Sequence, residues 1–578
     1  MSIHPGTPSN LFKATIIQKR SRHGGRAWGL ALILLLTTFL YLPTLAQSFV
    51  SWDDQGHLTE NLQVRNLKPD NIGAIFQSDV NQTYIPLTIF TFAIEYHFFS
   101  YNSFVYHLDN LLLHLGVVAF LYFLTLCLGF SASVALLASL LFAIHPMHVE
   151  SVAWVTQRKD VLYSFFYMLA LWQYTFYIQE KKVSVYFLTL LFAVLSILAK
   201  PMALSLPLVL FLLDWFLGRR FNWRLIIEKV PFFLVVFGIA WLTYAMNMRA
   251  IDLQFPSAIL TWVWCFVFYL AKFVFPSELL VLYQVPRSVS LLNAEFLFAA
   301  ILFLVLVLGL IRFKQNRIFL FAVGYFFLSI FFLLRFDDQK DLTIVADRFM
   351  YLPSAGICIF LGWGAMRLLE LAGKNDKRIR LFILTGLVAI IFVLAFMTSS
   401  RVRLWGNEYL LWDQVAKRYQ NAVAYSQLGN YFLKKDDFKK ALENYQRAIA
   451  ISPSYSKPYS NIGMVMVKLG NYEQAVEFFS QTIKLEPKES GITFTNRGYA
   501  YVSLGRNADA LADYNHAIAV DKRYLPAYLN RATLYKNQKD FTRAMADLDS
   551  VLRIDPGNKA AQNNRQILRK MILDENSH

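Results

Sequence analysis

Residues 380–398 read RLFILTGLVAIIFVLAFMT, a run in which Arg380 is the one charged side chain. A helix needs about 20 mostly apolar residues to cross the hydrocarbon core of a bilayer. The run is therefore predicted to be a membrane-spanning helix. Similar apolar stretches lie near residues 28–48, 106–128, 132–147, 160–178, 183–199, 201–217, 230–247, 257–275, 293–312, 317–335 and 352–371. The sequence predicts an all-α polytopic membrane domain over residues 28–400.

The composition of the whole chain agrees with a large membrane part. Of its 578 residues, 56% are hydrophobic and 16% are charged, whereas a typical soluble domain carries roughly 25% charged residues. So few charges also exclude a largely disordered chain. The three cysteines, Cys127, Cys265 and Cys358, lie inside apolar stretches. Their positions indicate neither a disulfide framework nor a zinc cluster.

The net charge of +17 comes largely from basic clusters at the ends of the apolar stretches. Such clusters mark the cytoplasmic side of a membrane protein, so the excess indicates orientation and not a nucleic-acid partner. Residues 1–27 are read as a cytoplasmic basic tail. The stretch at 28–48 is read as a signal anchor, because it exceeds the roughly 7–15 apolar residues of a cleaved signal peptide. The basic clusters are Lys13 to Arg26, Lys181 with Lys182, Arg219 to Arg224, Arg312 to Arg317, and Lys374 to Arg380.

This orientation places the first loop, residues 49–105, and the loop 145–160 outside the cytosol. A strict count of spans after Arg220 cannot also keep the Arg312 cluster inside. One segment between 230 and 292 is therefore expected not to cross, with an interruption near 246–256 or 276–286. About 11 crossings follow, which leave the C-terminus outside.

From about Asn421 the long apolar stretches end and a repeat of about 34 residues begins. Tyr425, Gly429, Ala441, Tyr445 and Pro453 form its first copy. The later copies carry Tyr459, Gly463, Ala475, Phe479 and Pro487, then Phe494, Gly498, Ala510, Tyr514 and Lys522, then Tyr528, Ala532, Ala544, Leu548 and Pro556. Small residues let two antiparallel helices pack closely, and proline stops the second helix. Residues 421–578 are predicted to be a tetratricopeptide α-solenoid with a capping helix, joined by a linker, 401–420. Such a solenoid offers a concave face to extended peptide.

Ionisable residues beside membrane spans indicate function, because they are costly there. Asp53 and Asp54 follow Trp52 in the first outer loop, where the pair can supply a base or a ligand, or only cap a helix. Arg348 enters the stretch at 352–371, where it can hold a phosphate or only reach toward the interface. Lys200, between two apolar stretches, is a similar cation.

The loop from His145 to Asp160 contains a His-x-x-His-x-Glu pattern in His145, His148 and Glu150. Such a set can bind a metal, but Pro146 interrupts the helix that this spacing needs. The histidines can equally serve as hydrogen-bonding groups at the interface, so the sequence assigns no residue to a metal.

Several motifs in chain order resemble one family. They are Trp52-Asp53-Asp54, Tyr84 to Thr88, Tyr106 to Asn110 with His114, His145 to Asp160, Ala346 to Ser354, and the terminal repeats. Together they are similar to the transmembrane and tetratricopeptide-repeat-containing O-mannosyltransferases and their bacterial relatives, which are polytopic glycosyltransferases of the GT-C class. The chain departs from the family at Ile85, where animal members usually carry Arg, and at Asp347, which is commonly Glu.

The resemblance implies an enzyme that moves mannose from a polyprenyl-phosphate donor to Ser or Thr hydroxyls of protein on the non-cytosolic face. It implies that Asp53 or Asp54 is the base, and that Arg348, Arg158 and Lys200 hold the donor phosphate. Substrate contacts are expected from Trp52, Tyr84, His107, His145, His148, Glu150 and Tyr351. The repeats are expected to bind acceptor or partner protein. The lipid-linked donor is the expected cosubstrate, and a divalent cation stays an alternative.

The implied location is a bacterial inner membrane or an endoplasmic reticulum membrane, with the repeats on the non-cytosolic side. Two other functions stay open from the sequence. One is an O-oligosaccharide ligase or polymerase, although such enzymes rely on a large late outer loop and here the long outer loop is the first. The other is a membrane scaffold without catalysis that recruits partners through its repeats.

Overall fold

The computed structural model describes residues 24–80, 83–246, 255–286, 289–334, 345–487 and 491–576. The chain divides into two compact units, Met1–Leu411 and Trp412–His578. Most of the predicted cytoplasmic tail lies outside the described residues.

The first unit is built from α-helices, and each of the predicted apolar stretches is helical over most of its described length. They are α1 (Gly24–Tyr41), α2 (Pro69–Gln77), α3 (Pro86–Phe99), α4 (Ser103–Cys127), α5 (Ala132–Ala143), α6 (Val149–Ala153), α7 (Arg158–Glu180), α8 (Val183–Ala199), α9 (Leu206–Phe216), α10 (Trp223–Ile227), α11 (Val230–Met246), α12 (Phe255–Val274), α13 (Ala294–Arg312), α14 (Arg317–Ile330), α15 (Ser354–Asn375) and α16 (Lys377–Trp405). The predicted all-α class is confirmed.

Seven segments of the described chain are long and apolar enough to cross a membrane. A bent pair, α5 with the segment Pro146–Ala153, raises the number to eight if it counts as one span. The shorter apolar helices are Val183–Ala199, Pro201–Phe216 and Arg317–Leu333. The predicted number of crossings stays a prediction, since these criteria use length and composition only.

The first outer loop, predicted to comprise residues 49–105, contains two α-helices, α2 and α3. Each begins with proline at its first position, where the missing N–H costs nothing and φ is already suited to a helix. Leu58, Val64, Ile75 and Phe92 form a buried core beneath them. This segment is therefore a folded cap and not an extended loop.

Hydrogen bonds gather several chain segments at one end of the helical bundle, here called the first-loop end. Thr398 Oγ1 on α16 donates to the carbonyl of Ile144 at 2.6 Å, and Gln47 Nε2 donates to the carbonyl of Val402 at 2.8 Å. His145 Nε2 lies 2.9 Å from the carbonyl oxygen of Phe273 on α12. The C-terminal ends of α12 and α16 thus lie beside the start of the 145–160 loop.

The interruption predicted near 246–256 falls mostly outside the described residues. The alternative near 276–286 coincides with a non-helical segment between α12 and α13. Both α11, within the segment Trp223–Thr243, and α12, as Ser257–Val274, pass the length and composition criteria for a span. That one segment between residues 230 and 292 does not cross the membrane stays a prediction.

The opposite end of the bundle carries a buried ionic network around Asp214. Lys229 Nζ lies 2.6 Å from one carboxylate oxygen of Asp214, and Arg219 Nη1 lies 2.8 Å from the other. Arg219 also contacts Glu228 at 2.8 Å, and the hydroxyl of Tyr174 donates to Asp214 at 2.9 Å. The network satisfies its own charges and ties α7, α9 and α11 together.

The second unit consists of helix pairs, as the repeat predicts. After α17 (Glu408–Tyr419), which crosses the boundary between the units, its helices are α18 (Ala422–Lys434), α19 (Phe438–Ile451), α20 (Ser456–Lys468), α21 (Tyr472–Leu485), α22 (Gly491–Ser503), α23 (Asn507–Val520), α24 (Leu525–Asn537), α25 (Phe541–Ile554) and α26 (Lys559–Asn576). Leu568 on α26 is 1% exposed. The predicted solenoid is confirmed, and α26 lies where the capping helix is predicted.

Each helix pair closes over a glycine or alanine that faces the second helix. A Cβ at Gly498 would lie 2.7 Å from the ring of Tyr514, and Tyr514 is 1% exposed, so its ring has little room to move. The fourth repeat carries Ala532 at this position and Leu548 in place of the aromatic ring. The smaller partner explains why alanine is tolerated there.

We expect Gly498→Ala to lower the local unfolding free energy of α22 and α23 by about 1–3 kcal/mol, because overpacking outweighs the gain in helix propensity. Hydrogen exchange of peptides from the two helices measures the effect. The control is Gly491→Ala, whose Cβ would lie no closer than 3.8 Å to a neighbour. The double variant Gly498→Ala/Tyr514→Leu should recover protection. Equal exchange in all three variants would contradict the packing argument.

Candidate active site at the first-loop end

Asp54 is a structural carboxylate. It is 1% exposed, its Oδ2 accepts from the backbone N–H of Val50 at 2.8 Å, and its Oδ1 accepts from the backbone N–H of Thr156 at 3.0 Å. The Thr156 hydroxyl donates to the same oxygen. Burial raises the pKa of Asp54 to about 6. The side chain therefore ties the first loop to the segment between α6 and α7.

Asp53, its neighbour, is half-buried. Among the described residues, its carboxylate has no hydrogen bond or ion pair to another side chain. Electrostatic interactions across space couple it to Lys159, Arg348 and His57, and to the neighbouring Asp54. Sequence reasoning left the two acids equivalent, whereas their surroundings differ. Of the two acids, Asp53 is the more exposed.

Arg348 precedes α15 in a short 3-10 helix, Asp347–Met350. Its guanidinium pairs with Glu150, and its backbone N–H donates to Glu150 Oε2 at 3.1 Å. The guanidinium carbon lies 5.7 Å from the centre of the Trp154 ring. The arginine is thus held in one orientation, and its side chain keeps 16% of its surface exposed.

Two lysines, Lys200 and Lys159, add positive charge near Arg348. Lys200 pairs with Asp160, and its Nζ lies 5.3 Å from the ring centre of Phe349. Lys159 is 9% exposed, and sequence reasoning gave it no role. Burial lowers its pKa to about 8. Its place in Arg158-Lys159-Asp160, at the start of a predicted span, was the signal that could have identified it. We call Asp53, Glu150, Lys159, Asp160, Lys200 and Arg348 the charged cluster.

Aromatic rings stack beside the charged cluster. The ring centres of Trp52 and Trp154 lie 5.0 Å apart with 21° between their planes. Trp154 stacks in turn on Trp405 at 5.5 Å, a residue that sequence reasoning missed. The stack joins the first loop, α6 and the end of α16, and presents Trp52 next to Asp53.

Arg158 was expected to hold the donor phosphate, but the structure supplies it with protein partners. It is fully buried. Its two terminal nitrogens lie 2.6 Å from Asp109 and 2.9 Å from Glu95, and Nη2 also donates to the carbonyl of Tyr106 at 2.8 Å. Its Nε donates to Asn110. These bonds favour a structural role that fixes the first turns of α4 and α7.

Arg158→Ala should therefore lower stability rather than affect donor binding alone. Removing one partner from a buried ion pair costs about 3–5 kcal/mol, because Glu95, whose pKa burial already raises to about 7, loses its cation. Thermal unfolding of the purified protein in detergent measures the loss, with Lys182→Ala at an exposed pair as control. An Arg158→Ala protein with unchanged stability and weakened donor binding would support the expected role of Arg158 in binding the donor phosphate.

The remaining predicted substrate contacts lie in packed surroundings. Tyr84 donates to the carbonyl of Phe76 at 3.0 Å, and Tyr351 is hydrogen-bonded to His114 Nδ1 at 2.7 Å. His148 contacts Ser354 Oγ at 2.9 Å and the carbonyl oxygen of Phe142 at 2.7 Å. His145 stacks on the Phe273 ring at 4.1 Å. These side chains join the helices behind the charged cluster.

His107, also expected to contact substrate, is 2% exposed and lies beside the backbone of Gln47. Glu150 contacts Arg348, as described above, and is 1% exposed. Across the described ranges, no group of three His, Cys, Asp or Glu side chains is arranged to hold a metal ion.

A second buried acid, Asp347, adjoins the charged cluster. The hydroxyl of Tyr283 donates to it at 2.7 Å, and Arg401 Nη2 lies 3.8 Å away. Burial raises the pKa of Asp347 to about 7. Sequence reasoning named Asp347 only as a departure from the family and missed both partners, because they lie 64 residues before and 54 residues after it.

These features define a polytopic helical protein with a charged site at one end of its bundle and a tetratricopeptide array in its C-terminal part. Models described as TPR repeat or tetratricopeptide repeat match residues 429–470, 456–489 and 495–559. Among solved structures, the Arabidopsis OM64 TPR domain is 30% identical, covering 20% of this chain and 94% of that chain, with a TM-score of 0.19.

The similarity to curated proteins is more specific and extends over most of the chain. Protein O-mannosyl-transferase F38B6.6 of Caenorhabditis elegans is 26% identical over 467 residues, which cover 75% of this chain and 64% of that protein. Protein O-mannosyl-transferase TMTC3 of Homo sapiens is 34% identical over 157 residues, 25% of this chain and 17% of that protein. The chain is a relative of the repeat-containing protein O-mannosyl-transferases, and the resemblance seen in its motifs is confirmed. It spans less than two thirds of the length of either relative.

Proposed function

We propose that this protein transfers a sugar, mannose, from a polyprenyl-phosphate donor to Ser or Thr hydroxyls of protein on the non-cytosolic face of a membrane. The observation that carries the proposal is the meeting of Asp53 with three cations, Lys159, Lys200 and Arg348, beside the Trp52 and Trp154 stack. The names of the relatives support the sugar and the acceptor class.

The acid and the cations have separate tasks in such a reaction. A Ser or Thr hydroxyl is a weak nucleophile and needs a base within hydrogen-bond reach. Asp53 takes the hydroxyl proton as the acceptor oxygen bonds to the anomeric carbon. The bond between that carbon and the phosphate oxygen breaks, and polyprenyl phosphate leaves with the electron pair. One displacement of this kind inverts the anomeric carbon.

The leaving phosphate needs stabilisation of its negative charge more than it needs a proton. Fixed cations aimed at such charge stabilise a transition state without having to reorganise. Glu150 and the Trp154 ring hold the Arg348 guanidinium in place, and Asp160 holds Lys200. Arg348 and Lys200 are therefore the phosphate-binding side chains of the proposal, and Arg158 is not included.

Two features support a non-cytosolic location for the site and the repeats. The basic clusters that mark the cytoplasmic side, such as Arg219 and its neighbours, belong to the opposite end of the bundle. The last span, Lys377–Trp405, ends at the first-loop end, and within the described residues after 405 no helix is long and apolar enough to cross again. The repeats then follow on the same side as Asp53, where they can bind acceptor protein.

Glycopeptide mass spectrometry of cells with and without this protein tests the proposed function. We expect hexose on Ser or Thr of a defined set of exported proteins, lost on deletion and restored by the wild-type gene. Restoration by Asp53→Asn to the wild-type level would support the scaffold alternative instead. An unchanged set of glycopeptides after deletion would contradict the transferase assignment.

A further inference from the structure

The first helices of the repeats carry an amide side chain at the same position in every copy. Successive members are 34 or 35 residues apart, and α26, which follows the fourth repeat, continues the series. We call this set the amide row; its members are Gln427, Asn461, Asn496, Asn530 and Asn564. Each helix pair closes through a small residue and a facing ring or leucine, and this packing does not account for an amide that recurs five times.

The amide row faces away from the second helix of each pair. In the first four copies the amide lies two residues before the small residue that faces the second helix, as Asn496 lies before Gly498. With about 3.6 residues per turn, two residues correspond to about 200° around a helix axis. Since Gly498 faces Tyr514, Asn496 lies on the opposite side of α22.

That side is the concave side of the solenoid. The first helices of neighbouring repeats contact one another more extensively than the second helices do, as α18 with α20, α20 with α22 and α22 with α24. Asn461 Nδ2 on α20 donates to Asn430 Oδ1 on α18 at 2.8 Å, and Asn430 Nδ2 donates to Gln427 Oε1 at 3.0 Å. The amide row therefore lies along the inner surface of the array.

The middle of the amide row is open to a ligand. Asn496 and Asn530 are half-buried, and within the described residues neither side chain makes a hydrogen bond. Met464 and Tyr499 each lie three residues after a member of the row, hence on the same helix face, and are 40% and 47% exposed. Uncharged hydrogen-bonding groups beside apolar side chains fit a neutral ligand better than an ionic one.

The chemistry and spacing of the amide row match the main chain of a peptide. A side-chain amide offers a carbonyl acceptor and N–H donors, so it can form two complementary hydrogen bonds with one peptide unit. Packed helices lie about 8–10 Å apart and an extended chain rises about 3.3 Å per residue, so each repeat corresponds to about three residues of extended peptide. The four intervals of the row then span about 12 residues.

We propose that the amide row binds the main chain of an extended, unfolded polypeptide segment, whatever the sequence of that segment. The assignment of the bound segment as the acceptor deepens the proposed function and rests on it. Unfolded Ser- and Thr-containing segments are then the acceptor class. Folded domains are excluded from the row, because nearly all of their buried backbone N–H and C=O groups are already paired.

Binding of an uncharged, fluorescent peptide of about 15 residues to the full chain in nanodiscs tests the proposal. We expect Asn496→Ala/Asn530→Ala to weaken binding about 10- to 100-fold, since several hydrogen bonds are lost together. A peptide of the same composition in scrambled order should bind as the original does. A peptide in which ester links replace several peptide bonds, and so remove N–H donors, should bind more weakly. The matched control is Asn444→Ala/Asn507→Ala, two asparagines on the second helices α19 and α23.

Equal affinity of wild type and Asn496→Ala/Asn530→Ala would overturn the inference, and so would equal affinity for the ester-linked peptide. A scrambled peptide that binds more than tenfold more weakly would replace main-chain recognition with sequence recognition. Loss of self-association in the double variant, with peptide binding unchanged, would assign the row to a contact between copies of this chain. If the double variant does not fold, the two peptides compared on wild-type protein still decide.

The same variants separate this inference from the proposed function. Peptide binding that depends on the amide row, in a protein that glycosylates nothing, would uphold the row and refute only the transferase. Unimpaired transfer to unfolded acceptor by Asn496→Ala/Asn530→Ala would uphold the transferase and refute the row.

Discussion

Asp53→Asn is expected to lower the rate of sugar transfer by about 10²- to 10⁴-fold, the usual contribution of a general base. The amide keeps the size of the side chain and removes its basicity. Donor affinity should change little, because the cations that hold the phosphate stay in place. The measurement is kcat and the KM for donor, with purified protein in nanodiscs and an acceptor peptide.

The neighbouring acid supplies the matched control. Asp54 accepts backbone hydrogen bonds from Val50 and Thr156, so Asp54→Asn should lower thermal stability by disturbing the first loop. Among Asp54→Asn molecules that remain folded, kcat should stay well above that of Asp53→Asn. A folded Asp54→Asn protein without activity, beside an active Asp53→Asn protein, would reverse the assignment of the base.

Arg348→Ala is expected to lower kcat by about 10²- to 10³-fold, comparable to removing one fixed donor from a site that stabilises developing charge. Glu150 would also lose its cation, so stability must be measured in parallel. Arg348→Lys should recover part of the rate, since lysine keeps the charge but loses the planar, bidentate geometry.

A comparison of Arg348→Ala with Glu150→Gln distinguishes a role of the Arg348 charge in catalysis from a role in packing. If Arg348 only fixes Glu150 and the Trp154 ring, Arg348→Ala and Glu150→Gln will lose stability to a similar degree while folded molecules keep their rate. That outcome would contradict a role in phosphate stabilisation. A large loss of kcat in Arg348→Ala at near wild-type stability would support it.

Most of the fold could be predicted because its signals are local. Apolar length indicates each span, as in residues 380–398, and the recurrence of Gly429 and Tyr445 about every 34 residues indicates the solenoid. The helices of the first loop were missed, since α2 and α3 are short. They bury their apolar residues against a local core, and no periodic apolar pattern in the sequence indicates it.

The sequence allowed the residues of the candidate site to be predicted, but not the side chains and backbone groups that they contact. The sequence pointed to the acid pair at Asp53 and to Arg348, yet it could not tell which acid is free. That difference comes from Thr156, which lies 102 residues from Asp54. Arg158 is a similar case: its carboxylates, Glu95 and Asp109, lie on separate helices, so only the assembled fold shows that its charge is already matched.

Reconstitution of the purified full chain with mannosyl polyprenyl phosphate and an exported Ser/Thr-rich polypeptide tests the central claim most directly. In sealed vesicles of known protein orientation, hexose should appear only on acceptor placed on the side of Asp53, with inverted anomeric configuration. Folded, donor-binding protein that transfers no hexose to acceptor on that side, or that transfers it on the Arg219 side, would contradict the account.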